Sequence, residues 1–273
     1  MKLRVSFIVF TILMAGFHRP GQAADDSAVL YFNFDEGKGN TVQDGSPAKN
    51  DGKIQGEVKW VKGKMGNAMR FEGKGFVEVP HADNLNLTTA HTIAYWLKWD
   101  GQMASWSPFI AKTIGGGPKE DNFHTWVGKD QVWDYENQPH KQTHAVTKIP
   151  LDDKWAHLTV THDGKKTVSF YINGEADKAT NELMTTVGNK ADVRVGNDGK
   201  GNNGKGNSGA GTIDELIIFQ RELTAKEIKH LIEDGGTKFL SVEPQDKLPL
   251  IWGNVKSEYI ITNAWQLYRL RGK

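Results

Sequence analysis

Large aromatic side chains crowd the stretch between residues 96 and 135: Trp96, Trp99, Trp106, Phe109, Phe123, Trp126, Trp133 and Tyr135. Sugars present flat C–H faces that stack on such rings, whose large, partly polarised surfaces suit an interface. Asn, Asp or Gln then hold the hydroxyls, and the polar partners at hand are Asn122, His124, Asp134, Glu136 and Asn137. The chemistry on offer is carbohydrate recognition, with Trp106, Asn122, His124, Trp126, Trp133, Asp134 and Tyr135 as candidate contacts. A competing demand is structural, because large aromatics also dominate β-sandwich cores and many of these rings must be buried to build a domain. Alternation along residues 131–135 puts Gln131, Trp133 and Tyr135 on one face and Val132 and Asp134 on the other, one set facing solvent. Trp106 sits in a Ser-Trp-Ser-Pro run that reads as a loop, and loops are normally wet.

Other chemistries are limited by composition. The chain of 273 residues has no cysteine, so no thiol acts as nucleophile or ligand, no disulfide framework holds the fold and no lipidated cysteine anchors it. The nine histidines are scattered. A formal net charge of +1 gives no electrostatic case for nucleic acid. Hydrophobic content of 38% with 30 glycines fits a turn-rich β protein and is too apolar for disorder.

The first 23 residues read as a secretory signal: Lys2 and Arg4 form a basic start, Val5 to Phe17 a short apolar run, and Gly21-Gln22-Ala23 a small-residue cleavage site. The expected mature chain begins at Ala24, loses Lys2, Arg4 and Arg19, and is mildly acidic. Its expected location is extracellular or periplasmic, without a membrane span.

The elements that must position the candidate residues are mostly strands. Strand patterns fall at Val29–Phe34, Val58–Val61, Ala68–Phe71, Phe76–Val79 and Thr92–Trp99, where Ile93, Tyr95 and Leu97 share a face opposite Ala94 and Trp96. Phe109–Lys112, Phe123–Val127 and Gln131–Tyr135 follow. Trp155–His162 and Thr167–Ile172 flank Asp163-Gly164, a strong hairpin signal. Val193–Val195 and Thr212–Phe219 complete the set. Thr224 and Glu227 form a capping box ahead of a short helix faced by Ile228, Leu231 and Ile232, with Gly235-Gly236 as its stop. Residues 197–211, rich in Gly and Asn, read as a mobile loop too polar to pack. The expected organisation is a signal over 1–23, one domain over 24–236 and a tail over 237–273, too short to fold alone.

Several pieces in order, Phe32-Asn33-Phe34-Asp35-Glu36-Gly37, Asn50-Asp51-Gly52, Gly63-Lys64-Met65-Gly66-Asn67-Ala68, Thr92 to Leu97, Trp155-Ala156-His157-Leu158, Tyr171-Ile172-Asn173-Gly174 and Gly211 to Leu216, resemble the laminin-G-like jelly roll of the concanavalin A-like lectin/glucanase superfamily. The resemblance covers residues 28–235 and implies an all-β, two-sheet antiparallel jelly-roll sandwich with one short C-terminal helix. It also implies a structural Ca²⁺ where the terminal strands pair, with Asp35 and Asp214 as carboxylate ligands and Asn50 and Gly52 as carbonyl donors. The run from Asp198 lacks the closing acidic residue of an EF-hand.

The superfamily includes glucanases, which carry Glu-x-Asp-x-Glu on one strand so that two carboxylates face one side. Here Thr212 and Leu216 stand at the flanking positions around Asp214. Jelly-roll alginate lyases use Gln-x-His with an Arg-Thr-Glu strand, and only the spacing Gln142-Thr143-His144 is present. The expectation is a secreted, non-catalytic module that binds carbohydrate or a glycosylated surface. The rival is an adhesion or matrix protein that binds another protein, with a hydrolase or lyase in third place.

Overall fold

A computed structural model describes residues 25–101, 106–114, 121–137, 141–151, 153–181, 187–199 and 207–241. Its strands are β1 (Ala28–Phe32), β2 (Thr41–Val42), β3 (Gly52–Lys62), β4 (Asn67–Val79), β5 (His91–Trp99), β6 (Trp106–Thr113), β7 (Asp121–Gly128), β8 (Trp133–Asn137), β9 (Lys141–His144), β10 (Trp155–His162), β11 (Thr167–Ile172), β12 (Glu175–Asn181), β13 (Val193–Val195) and β14 (Ala210–Phe219). One helix, α1 (Ala225–Ser241), follows.

The strands pair antiparallel in the order β12-β11-β10-β5-β14-β4-β13-β6-β7-β8-β9, with β1 on β14 and β3 on β4. This sheet curls over itself into two facing wings. Trp133 of β8 meets Tyr95 of β5 edge-on at 5.9 Å and Phe170 of β11 at 5.3 Å. Between the wings lies a core that includes Ile93, Tyr95, Leu97, Phe109, Phe123, Val127, Trp133 and Phe170. Without a disulfide, burial of this kind carries the fold, at roughly 1.5–3 kcal/mol per large side chain.

The opposite face of the β5–β14 wing is also covered. Ala94, Ile217 and Phe219 pack with Tyr31 against Leu223, Ile228, Leu231 and Leu240 around α1. The outer face of β6–β9 has no helix over it among the described residues, although its side chains His124, Trp126, Asp134 and Glu136 are only 4–6% exposed.

Three sequence expectations change. The strands expected at 68–71 and 76–79 are one strand, β4, paired with a β3 that starts earlier than expected. A register shift between Gly56 and Val58 absorbs the irregularity, with Gly56 at φ 75° and Gly73 at φ 77°. The polar run at 197–211 packs at both ends: Asn197 and Asp198 are buried, and Asp198 accepts hydrogen bonds from Asn207 N at 2.6 Å and Nδ2 at 2.7 Å. Asn and Asp replace the missing apolar contacts by bonding backbone groups directly.

The third concerns the helix. Gly235 leaves helical geometry at φ 73°, yet helical structure resumes and runs to Ser241. The kink is held from outside, since Gly236 N donates to Glu215 Oε2 at 2.5 Å and Thr237 N donates to Tyr31 Oη at 2.9 Å.

Candidate ligand-binding face

Pairing fixes which side chains share the outer face of β6–β9. Pro108 lies opposite Trp126, and Ala111 opposite His124. Across β7 and β8, His124 lies opposite Glu136 and Trp126 opposite Asp134. Across β8 and β9, Asp134 lies opposite His144 and Glu136 opposite Gln142. The alternate residues Phe123, Val127, Trp133 and Tyr135 belong to the core.

Two clefts open on this face and share Trp126 and Gln142. The first, of about 160 Å³, is lined by Trp106, Pro108, His124, Trp126, Glu136, Gln142, Asp198 and Asn207. The second, of about 500 Å³ and more open, runs past Trp126 to Lys129, Asp130, Asp134 and His144. Trp106 stands 54% exposed at the rim. The rings of His124 and Trp126 lie 4.6 Å apart, tilted by 38°. Gln142 Nε2 donates to Asp134 Oδ1 at 2.8 Å. Burial raises the Asp134 carboxyl above its ordinary value, and Gln142 opposes the rise.

The sequence candidates divide accordingly. Trp106, His124, Trp126 and Asp134 meet at the clefts. Trp133 and Tyr135 do not: both are 0% exposed and point into the core, where Tyr135 Oη pairs with His91 Nε2 at 2.8 Å. Their neighbour Gln131 makes that face look half-wet in sequence, but it lies outside β8 at φ 70° and says nothing of the strand's alternation. Asn122 also turns away from the ligand face. Its Oδ1 accepts from Leu87 N at 2.8 Å, and its Nδ2 donates to Leu87 O at 3.3 Å and Val187 O at 3.0 Å.

Gln142, Asp198 and Asn207 are missed by the sequence analysis as cleft residues, and Glu136 is noted only as a polar neighbour. Alternation supplies a signal for two of them, because Asp134 and Glu136, like Gln142 and His144, are spaced by two on adjacent strands. Asp198 and Asn207 come from a loop, and no periodicity points to them.

The expected calcium ligands also divide. The terminal strands pair, with Phe32 opposite Leu216. Asp35 and Asp214 thereby reach the same turn between β3 and β4: Asp35 Oδ1 accepts from Asn67 N at 2.8 Å, and Asp214 Oδ2 accepts from Met65 N at 2.9 Å. Asp214 Oδ1 is buried without a hydrogen-bond partner, and burial pushes the Asp214 carboxyl up to about 7. Beside Gly63, where a side chain would stand, Asp214 Oδ2, Asn67 O and Met65 O converge at 2.5, 2.5 and 2.7 Å from the Cβ position. These oxygens pack directly on the Gly63 Cα and leave no room for a side chain, while the carboxylates of Asp35 and Asp214, with Asp214 Oδ1 unpartnered, are hard oxygen donors of the kind Ca²⁺ takes.

Asn50 and Gly52 are not part of it. Asn50 Nδ2 donates to Val29 O at 2.8 Å and Asn84 Oδ1 at 3.2 Å, near the start of β1, whereas Asp35 lies beyond its end. Gly52 packs against Val77 and Phe32 in the core. The signal segment and the tail beyond Ser241 lie outside the described residues.

A family model described as the concanavalin A-like lectin/glucanases superfamily matches residues 71–229. No curated protein matches the sequence significantly. Among solved structures, domain 4 of AbnA, an extracellular GH43 arabinanase from Geobacillus stearothermophilus, in complex with arabinotriose, is similar at TM-score 0.59 and 20% identity, over 76% of this chain and 98% of that one. The binding domain of Paraclostridial Mosquitocidal Protein 1 is similar at TM-score 0.58 and 17% identity, over 76% and 52%. The binding domain of Botulinum neurotoxin DC, in complex with rat synaptotagmin II, gives TM-score 0.58 and 17% identity, over 76% and 51%. The chain thus spans about half the length of these two toxin domains. No helix among the described residues is long and apolar enough to cross a membrane.

Proposed function

This chain belongs to the concanavalin A-like lectin/glucanases superfamily, and from that premise we propose that it is a non-catalytic module that binds carbohydrate, free or on a glycosylated surface. The observation that carries this reading is the pair of adjoining clefts around Trp126, with exposed Trp106 at the rim and Asp134, Glu136, Gln142 and Asn207 as polar partners. Rings supply stacking area and the amides and carboxylates orient hydroxyls, the usual division of labour in a small-molecule site. A neighbour of the same fold with bound arabinotriose supports the ligand class. The non-catalytic reading draws on Asp214, which bonds the β3–β4 turn instead of facing a partner carboxylate across an open groove.

A glycan array on the purified chain, followed by affinity electrophoresis on the polysaccharides that score, tests the reading. Retention that falls in Trp106→Ala, without a change in melting, supports it. Retention unchanged in Trp106→Ala and Trp126→Ala places the ligand elsewhere, and release of reducing sugar that Glu136→Gln abolishes makes the protein an enzyme.

The same reading includes a structural Ca²⁺ held by Asp35 and Asp214 with backbone oxygens of the β3–β4 turn. Its support is the orphaned, buried Asp214 Oδ1 and the approach of both carboxylates to the same β3–β4 turn. A cation bound only to the native state raises stability by mass action. Melting should therefore rise with Ca²⁺ and fall with chelator, and Asp214→Ala should erase the difference; indifference of the parent chain to chelator rejects the ion. The reading also includes export, with cleavage after Ala23, and mass spectrometry of the exported protein checks it: a chain that retains Met1 rules it out.

A further inference from the structure

The most unusual side chain on the outer face of β6–β9 is His124. It is 6% exposed, and neither ring nitrogen has a hydrogen-bond partner. A buried polar group with no hydrogen-bond partner is destabilising unless a water or an ion satisfies it. Glu136 does not satisfy His124, since its Oε2 stands 3.9 Å from Nδ1, beyond hydrogen-bond reach. Asp121 joins them, and one ligand atom from each of the three residues lies within 4.8 Å of the others.

This convergence is built by a defect in the sheet. Lys112 lies opposite Phe123, whereas Thr113 lies opposite Asp121, so Asn122 is the extra residue of a β-bulge. Strict alternation puts Asp121 on the core side with Phe123. The bulge turns it toward His124 instead, the way bulges commonly re-aim a side chain near a functional site. The next strand then sets Glu136 directly opposite His124.

We propose that Asp121, His124 and Glu136 form a binding site for a divalent first-row transition metal of the Zn²⁺ or Mn²⁺ kind. One imidazole nitrogen and two carboxylates suit such an ion, whereas Ca²⁺ prefers oxygen ligands alone. The donors of a Zn²⁺ site lie about 2.0–2.2 Å from the metal, so the present separations need only a modest inward rotation of the side chains. Three protein ligands leave a coordination position open. That position borders the cleft that His124 and Glu136 line beside Trp126, where water or a ligand oxygen completes the shell. The site is distinct from the pair Asp35 and Asp214 and stands whether or not the cleft takes a sugar.

The test uses the full chain without a metal-binding tag, stripped with chelator and then titrated with ZnCl₂ and with MnCl₂ by calorimetry, with Co²⁺ as a spectroscopic probe. The expected result is one ion per chain, with a Co²⁺ d–d spectrum of mixed nitrogen and oxygen ligation. His124→Gln and Glu136→Gln, prepared separately, should each lose the ion and the spectrum, and Asp214→Asn should retain both. If one variant fails to fold, the other and Asp121→Asn decide. No uptake of Zn²⁺ or Mn²⁺ by the parent chain, or equal uptake by folded His124→Gln and Glu136→Gln, overturns the proposal.

Discussion

Trp106 and Trp133 are the same residue type with opposite duties, and their substitution separates ligand binding from folding. Trp133 is enclosed by Tyr95 and Phe170, so Trp133→Ala should cost about 3–5 kcal/mol in urea unfolding, the range for an aromatic removed from a core. Trp106→Ala should change stability by no more than about 0.5 kcal/mol while lowering retention on polysaccharide, because its ring is mostly in solvent. Comparable destabilisation by both would mean that Trp106 is packed as well. Residue type alone tells neither duty apart. Parity along residues 131–135 correctly separates Trp133 and Tyr135 from Asp134, but which set is wet depends on the opposite wing, where Tyr95 and Phe170 arrive from distant sequence. The position of Asp121 is less legible still, because the bulge at Asn122 reverses the parity that alternation predicts.

Local chemistry makes some elements readable to the residue. The hairpin of β10 and β11 has the bounds that Asp163-Gly164 implies. Asp163 Oδ1 accepts backbone hydrogen bonds from Lys165 at 2.8 Å, Lys166 at 2.8 Å and Thr167 at 3.0 Å. Partial desolvation alone would raise its carboxyl, but these donors outweigh it and bring the carboxyl down to about 2. A carboxyl lowered in the folded state contributes stability above its unfolded value, and that contribution is lost as pH falls through about 2. Asp163→Ala should therefore destabilise the hairpin at neutral pH and have less effect in strong acid, as read by unfolding at two pH values. The capping box is equally local: Thr224 N donates to Glu227 Oε2 at 2.9 Å, and Glu227 N donates to Thr224 Oγ1 at 3.3 Å. Thr224→Ala should cost about 1 kcal/mol. By contrast, the resumption of α1 after Gly235 depends on Tyr31 and Glu215, which sequence spacing cannot associate with the helix.

Tyr31 and Glu215 join the first strand, the last strand and the helix into one unit. Tyr31 Oη donates to buried Glu215 at 2.9 Å while it accepts from Thr237 N, so Tyr31→Phe removes one of the donors that hold the Glu215 carboxylate together with the tie to the helix, and should cost about 1–3 kcal/mol. The response of the whole fold to acid follows from groups of opposite sign. Burial pushes His91 and His157 down to about 3 from an ordinary 6.5, and it lowers His162 as well. Between those values the unfolded chain binds more protons than the folded one. The histidine contribution is therefore complete above about pH 6.5 and is lost progressively as pH falls toward 3. Burial raises Asp214, Glu215 and Asp134, which acts in the other direction and partly masks the loss. The separable quantity is the slope. His157→Gln should flatten the dependence of unfolding free energy on pH between about 3 and 6.5, because its ring no longer has to be kept uncharged inside the sheet beside Trp96. His91→Gln should do the same, although at neutral pH it also loses the bond to Tyr135 Oη. Chelator present throughout removes any linkage from a bound cation. Unfolding curves at stepped pH decide the matter, and parallel slopes in parent and variants would place the acid response in other groups.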